Sequence, residues 1–225
     1  MMSGARATWQ LFERDAAGYE NWYNSARGRQ ADLAECALLE GLLAPFATAR
    51  NALEVGCGTG HFTRWLASRL PRVVGLDRAP AMLAEARRRH PGLPLVQGDA
   101  HDLPIQTRAV DLSLFVLTLE FLERPELALA EAVRVANRGV LVLALNRWSR
   151  GGFSRRWGAD ARGTLLGRAR DFSLPLLRAL VSTAAGPRLR KVRWACSLFP
   201  GRLARVELQI PLGDVIGVAV ELAPR

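Results

Sequence analysis

Three glycines, Gly56, Gly58 and Gly60, stand where an apolar stretch hands over to an amphipathic one in "NALEVGCGTGHFTRWL". Glycine enters positive φ freely, and its missing Cβ lets a ligand lie against the main chain. Carboxylates surround this loop in the sequence: Glu54 lies two residues before it, Asp77 ends the next apolar stretch, and Asp99 closes a third in "QGDAHDLP". A carboxylate at the end of a second strand can accept both hydroxyl protons of a ribose. One at the end of a third can accept from an adenine amino group, while the next N–H, that of Ala100, reaches a ring nitrogen. The set points to a nucleoside-containing ligand over a bare backbone. It is not the dinucleotide fingerprint: GxGxxG counted from Gly56 ends on His61, and counted from Gly58 it ends on Thr63. Cys57, between two of the glycines, is expected as a small loop residue with a silent thiol.

Such residues need elements to hold them. From Asp32 to Leu43 the apolar residues Leu33, Cys36, Ala37, Leu39, Leu42 and Leu43 make a helical stripe ended by Pro45. Residues 52–55 read as a strand, and Phe62, Trp65, Leu66 and Leu70 as the buried face of a helix stopping before Pro71. Strands follow at 72–77, 93–99, 109–117 and 139–146, with helices at 79–90 and 124–136. Continuously apolar strands alternating with amphipathic helices predict an α/β fold, a Rossmann-like three-layer sandwich with a mostly parallel sheet covered on both faces. Ligands then bind beyond the carboxyl ends of the strands, where the glycines, Asp77 and Asp99 lie. Past Asn146 the pattern changes: 147–163 reads as a basic loop, 173–186 as a helix closed by Gly186, and 189–199 and 214–222 as an antiparallel strand pair.

The 225 residues, 49% hydrophobic, suit one core. A single domain over 1–225 is expected, with lid helices in 1–45, a ligand-binding core in 46–146 and the basic loop, helix and strand pair in 147–225. The net charge of +10 is unevenly placed. Residues 1–146 balance 16 Arg against 16 Asp and Glu, whereas 147–208 carries an excess of +11. An anionic substrate, an acidic membrane surface, nucleic acid or an ordinary solvated face all fit that excess. The scattered Cys36, Cys57 and Cys196 imply a reduced, cytoplasmic setting with neither disulfide framework nor metal site. The charged start "MMSGARATWQLFERD" predicts no secretory signal, and no apolar run is long enough to span a bilayer.

Four stretches in order, "LEVGCGTGHFTRWL", "VVGLDRAPAMLAEAR", "GDAHDLP" and "AVDLSLFVLTLEFLERPELALAEAVRV", resemble the successive motifs of class I S-adenosylmethionine-dependent methyltransferases. Within that family they are similar to the broad small-molecule group related to ubiquinone- and menaquinone-pathway enzymes. "FERDAAGYENWYNSARGR" resembles the lid that precedes the glycine motif there. The resemblance implies a seven-stranded sheet of order 3-2-1-4-5-7-6 with the seventh strand antiparallel. It also implies S-adenosyl-L-methionine as cofactor. Glu54 would organise the methionine amine, with Gly56, Cys57, Gly58 and Gly60 forming the loop beside it. Asp77 would hold the ribose, Leu76 or Arg78 would flank the adenine, and Asp99 and Ala100 would read its edge. The backbone around Phe115–Leu117 would lie near the amine and the transferable methyl. Two turns depart from the family pattern: "LPIQTRAVD" lacks the usual glycine, and "ANRG" replaces the usual RPGG.

Methyl transfer from a sulfonium asks the protein for alignment and a dry site, and some acceptors also need a base. Glu120, His101 and Tyr19 are the catalytic candidates, with Tyr23 and Asn146 as substrate contacts; Tyr19, Trp22 and Tyr23 could close over the site. His61 is expected to cap the loop helix and His90 to lie on the surface. The absence of Asn/Asp-Pro-Pro-Tyr, of Pro-Cys and of a Lys-Asp-Lys-Glu set weighs against several nucleic-acid and protein methylation chemistries. The expected reaction is methyl transfer to a small-molecule or lipid- or quinone-like acceptor, with peripheral contact to an anionic membrane through the basic segment. The alternatives are an RNA- or DNA-directed enzyme using 147–208 and a non-catalytic cofactor-binding protein.

Overall fold

The apolar runs assemble side by side into one seven-stranded sheet of order β3-β2-β1-β4-β5-β7-β6. Its strands are β1 (Asn51–Val55), β2 (Arg72–Asp77), β3 (Leu95–Gln97), β4 (Val110–Val116), β5 (Ala136–Leu145), β6 (Leu189–Ser197) and β7 (Val215–Leu222). β1 to β5 pair in parallel, and β7 runs antiparallel to both β5 and β6. The computed structural model describes residues 9–157, 166–198 and 208–223. The start of the chain, residues 158–163 of the expected basic loop, Phe199 of the expected strand, and Arg202 and Arg205 lie outside them.

Both faces of the sheet are covered, as continuously apolar strands require. On one face α6 (Pro125–Val135) and α8 (Leu174–Ala185) set Leu129, Val133, Leu177 and Val181 against Val140, Val142 and Val218. On the other, α3 (Ala26–Leu43) and α4 (His61–Ala67) set Leu38, Leu42, Phe62 and Leu66 against Leu112, Leu141 and Leu143. α5 (Pro80–Arg89) carries Met82, which packs with Ala16 and Ala79 beneath α1 (Trp9–Tyr19). Among the described residues no helix is long and apolar enough to cross a membrane.

Several boundaries move, each for a local reason. α3 starts at Ala26, ahead of the apolar stripe, because Ser25 caps it by accepting from Gly28 N at 2.9 Å. Its buried face is Ala31, Ala34, Glu35, Leu38, Leu39 and Leu42, while Leu33, expected inside, is exposed. β5 starts at Ala136, where a helix end was expected. The Arg188 guanidinium donates to the carbonyls of Val133, Ala136 and Asn137 at 2.7–3.0 Å and so closes α6 and opens the strand. In "LPIQTRAVD" the residue in the glycine's place, Arg108, adopts φ 60° itself.

The loop expected over 147–163 contains a helix, α7 (Arg150–Trp157). Ser149 accepts from Gly152 N at 2.9 Å, and Asp214 accepts from Gly151 N at 2.9 Å, so tertiary partners satisfy the first turn. A Cβ at Gly152 would come within 2.4 Å of the Asn146 carbonyl oxygen. Glycine there marks close packing of a helix and not a loop.

Candidate active site

The glycine loop follows β1 with Gly56, Gly58 and Gly60 at φ 76°, 54° and 80°. A Cβ on Gly56 would lie 2.1 Å from Thr118 Cγ2, whereas one on Gly58 would meet nothing within 4 Å and would project into open space. The main chain is therefore bare toward a cleft of about 980 Å³, its open mouth included. Asp77 ties the loop to the end of β2: Oδ2 accepts from Gly58 N and Oδ1 from Ala79 N, both at 2.8 Å. Burial raises the Asp77 carboxyl above its ordinary range, against the pull of those N–H groups. Glu54 sits at the floor of the cleft, accepts from the Thr63 hydroxyl and is pushed up to about 8 by burial.

Asp99 lies two residues past β3 and also faces the cleft. Its Oδ1 meets His101 Nδ1 at 2.7 Å and the His101 N–H at 2.9 Å, and Arg78 Nη1 lies 3.2 Å from Oδ2. Despite a burial that would raise it, His101 and Arg78 hold this carboxyl below its ordinary range. Arg78 also lies over the Trp9 ring, 5.2 Å from its centroid. Cys57 and Ala100 complete the group that the sequence placed here and the structure brings into the lining.

The lid is α1, the single turn α2 (Asn21–Asn24) and the start of α3. Its rings form a continuous wall: Phe121–Phe12 at 4.8 Å, Phe12–Tyr19 at 6.1 Å, Tyr19–Tyr23 at 6.4 Å, and Tyr23 stacked on His61 at 4.1 Å. Three polar ties fasten the lid: Glu13 accepts from Ala81 N at 3.1 Å, Glu20 from the Thr59 hydroxyl, and Asp32 Oδ1 meets His61 Nε2 at 2.7 Å. Burial, then the charges of Glu35 and Glu20, raises the Tyr19 phenol; burial raises Tyr23 too, followed by the Tyr19, Glu35 and Glu20 charges.

Some expected site residues stand elsewhere. Gly60 caps α4, and its face turns to Leu93 and Ala86 rather than to the cleft. Phe115 is fully buried in the core; Val116, Leu117 and Thr118, just beyond it, line the cleft instead. Glu120, 3% exposed, lies outside the lining, where Oε1 accepts from Leu145 N at 2.5 Å and its carbonyl from Arg170 N at 3.0 Å. Asn146 is 0% exposed and staples two loops, donating to the carbonyls of Pro211 and Gly213 and accepting from Trp148 N. His101 lines the cleft with both ring nitrogens engaged, Nε2 facing Arg124 N at 3.4 Å. Neither residue type nor spacing marks Thr118 or the stack of His61 on Tyr23, since both arise from tertiary contact.

Residues 53–144 match the family described as a methyltransferase domain. The chain carries a class I S-adenosylmethionine-dependent methyltransferase domain. A solved S-adenosylmethionine-dependent methyltransferase of Thermotoga maritima, described as a possible histamine N-methyltransferase, superposes with a TM-score of 0.80 at 27% identity, over 95% of this chain and 99% of that one. The malonyl-[acyl-carrier protein] O-methyltransferase of Serratia marcescens is 33% identical over 138 residues, 61% of this chain and 51% of that protein. A trans-aconitate 2-methyltransferase of Acidovorax is 47% identical over 55 residues, 24% of this chain and 21% of that protein. The chain spans about half the length, or less, of the curated relatives it matches. The methyltransferase domain, its strand order and its antiparallel seventh strand are those implied by the resemblance.

Proposed function

We propose that this chain transfers the methyl group of S-adenosylmethionine to a small-molecule acceptor. The observation that carries the reading is the single cleft in which a bare glycine loop, Asp77 and Asp99 meet under an aromatic lid. Asp77 would take the ribose hydroxyls, keeping its backbone partners, because a carboxylate has lone pairs for both sets of bonds. Asp99 with Ala100 would take the adenine edge, and Arg78 would flank it. Glu54, with its carboxyl pushed up by burial, would accept from the methionine ammonium, which would restore its charged form. The bound sulfonium supplies the electrophilic methyl. The chain's own residues exclude water and align the acceptor: Phe12, Tyr19, Tyr23 and Phe121 wall the cleft, and the three ties close the lid over it.

None of the three expected bases is well suited to that role. Glu120 lies outside the cleft, both ring nitrogens of His101 are engaged, and the Tyr19 phenol is held neutral. Binding is tested by calorimetry with S-adenosylhomocysteine, and turnover with methyl-labelled S-adenosylmethionine against an acceptor panel. The absence of both heat and thermal shift with S-adenosylhomocysteine would remove the proposal.

A second reading concerns the rim of the sheet. Trp148, Phe153 and Leu212 are 46%, 59% and 56% exposed, and the Asn146 and Asp214 bonds hold their loops together beside exposed Arg147 and Arg150. Apolar side chains among guanidinium groups suit the headgroup region of an anionic membrane, which would present lipid- or quinone-like acceptors to the cleft.

A further inference from the structure

The cleft is acidic in a strongly basic chain. Its described lining holds four carboxyl groups, Glu54, Asp77 and Asp99, which the cofactor would take, and Glu123, against one guanidinium, Arg78, which Asp99 already engages. None of the described arginines of the basic segment lines it. Behind the aromatic wall lies a further layer of carboxylates on the lid. Glu20 and Asp32 flank His61, and Glu35, 4% exposed, is close enough to Tyr19 and Tyr23 for its charge to act on both phenols. No hydrogen bond or ion pair reaches the Glu35 carboxyl among the described residues, and burial, then Asp32 and Glu120, pushes it up to about 8.

We infer that the acceptor is an amine, taken as an organic cation against the cleft face of the Phe121–Phe12–Tyr19–Tyr23 wall, with Glu123 in the same lining and the lid carboxylates behind the wall, and methylated on nitrogen. The inference rests on the methyl-transfer reading above. Aromatic faces attract a cation through their quadrupole, and more strongly where water is excluded. An acidic cleft with low-dielectric walls concentrates cations and repels anions. A carboxylate acceptor would enter this field with no free cation in the described lining to meet it. A phenol would have to ionise to an anion in the same acidic field. A bound ammonium instead loses one proton to solvent and leaves a neutral amine whose nitrogen carries the lone pair. That pair forms the N–C bond as the C–S bond breaks, the C–S electrons stay on sulfur, and the methylated ammonium is the product.

The test uses the whole chain and two ligands of similar shape and opposite charge, 2-phenylethylamine and 3-phenylpropionate. Affinity for S-adenosylhomocysteine is measured first; its absence would sink the methyl-transfer reading itself. With that affinity intact, calorimetry on the S-adenosylhomocysteine-saturated protein should show the amine bound at least tenfold more tightly. Methyl label from S-adenosylmethionine should appear on the amine nitrogen and not on the carboxylate. Measured at about pH 9, above the raised Glu35 carboxyl, Glu123→Gln and Glu35→Gln should each lower the amine-to-carboxylate ratio at least threefold while leaving S-adenosylhomocysteine affinity within twofold. Equal or tighter binding of the carboxylate, binding of neither, label on the carboxylate, or a ratio unchanged in both variants would overturn the inference. Glu123, exposed at the cleft, supplies the second variant should Glu35→Gln fail to fold.

Discussion

Asp77→Asn separates the two roles assigned to one carboxylate. In the free protein Oδ1 and Oδ2 each accept one backbone N–H, from Ala79 and Gly58, at 2.8 Å. The amide keeps one acceptor and turns an NH₂ group toward the other N–H, which leaves a donor unsatisfied at a cost of about 1–3 kcal/mol. Relief of a buried charge opposes that cost, since burial already raises this carboxyl. The net change in ligand-free stability is therefore smaller than either contribution. The ligand has no such compensation. Losing charged hydrogen bonds to ribose hydroxyls removes about 1.5–3 kcal/mol, and each 1.4 kcal/mol or so is a factor of ten in affinity. Calorimetry with S-adenosylhomocysteine should show an affinity about ten- to a hundredfold weaker, while the urea midpoint of the ligand-free variant moves little. An affinity within twofold of the parent protein would refute the ribose assignment, whatever the stability result.

Stability should fall as pH rises from the ordinary carboxyl range toward about 8. Glu35 and Glu54 are both raised to about 8 in the fold, so between those limits the folded state binds protons that the unfolded state has lost. Urea titrations at pH 5.5, 7 and 8.5 should show this slope, Glu35→Gln and Glu54→Gln should flatten it, and a slope untouched by either variant would be contrary to it. Asn146→Ala, which leaves the Trp148 N–H and the Pro211 and Gly213 carbonyls without this partner, should destabilise by about 1–3 kcal/mol without changing S-adenosylhomocysteine affinity; a loss confined to turnover would restore it as an acceptor contact. The chain should sediment with vesicles of anionic lipid and not with neutral ones, Phe153→Ser and Leu212→Ser should weaken this, and equal sedimentation with both kinds would remove the membrane reading.

What was legible in the sequence followed local physics. The β2 span was read to the residue, because a continuous apolar run between Pro71 and an acidic end leaves little freedom. The loop glycines and Asp77 were readable because positive φ and a strand-end carboxylate both leave marks in residue type. The errors share a different cause. Asn146 and Glu120 follow apolar strands, as catalytic side chains do, yet each bonds backbone groups from segments remote in sequence. Periodicity also placed Leu33 inside and left Glu35 unnoticed. Only the packing of α3 against β5, β6 and β7 decides which face of that helix is buried. The acidity behind the aromatic wall was hidden for the same reason, since it is contributed by α2, α3 and β4 neighbours that meet only in the fold.

The three lid ties also bear on how the cleft can both close and exchange its contents. Each joins a lid carboxylate to the first turn beyond a strand's carboxyl end: Glu20 to Thr59, Asp32 to His61, and Glu13 to the N–H of Ala81. Thr59 and His61 belong to the loop and helix beside the expected cofactor, so the aromatic acceptor wall is referenced to the same backbone that would grip the nucleoside. Net contributions near 1 kcal/mol for each such bond give a closed lid worth about 3 kcal/mol before the apolar contacts of Phe12 and Tyr19 are counted. A barrier of that size lies within the range of local opening and far below global unfolding. The apolar contact of Ala16 with Ala79 and Met82 adds to the polar ties and holds α1 on α5. Because the ties run to the cofactor loop, the lid closes in register with the group whose methyl is to be transferred.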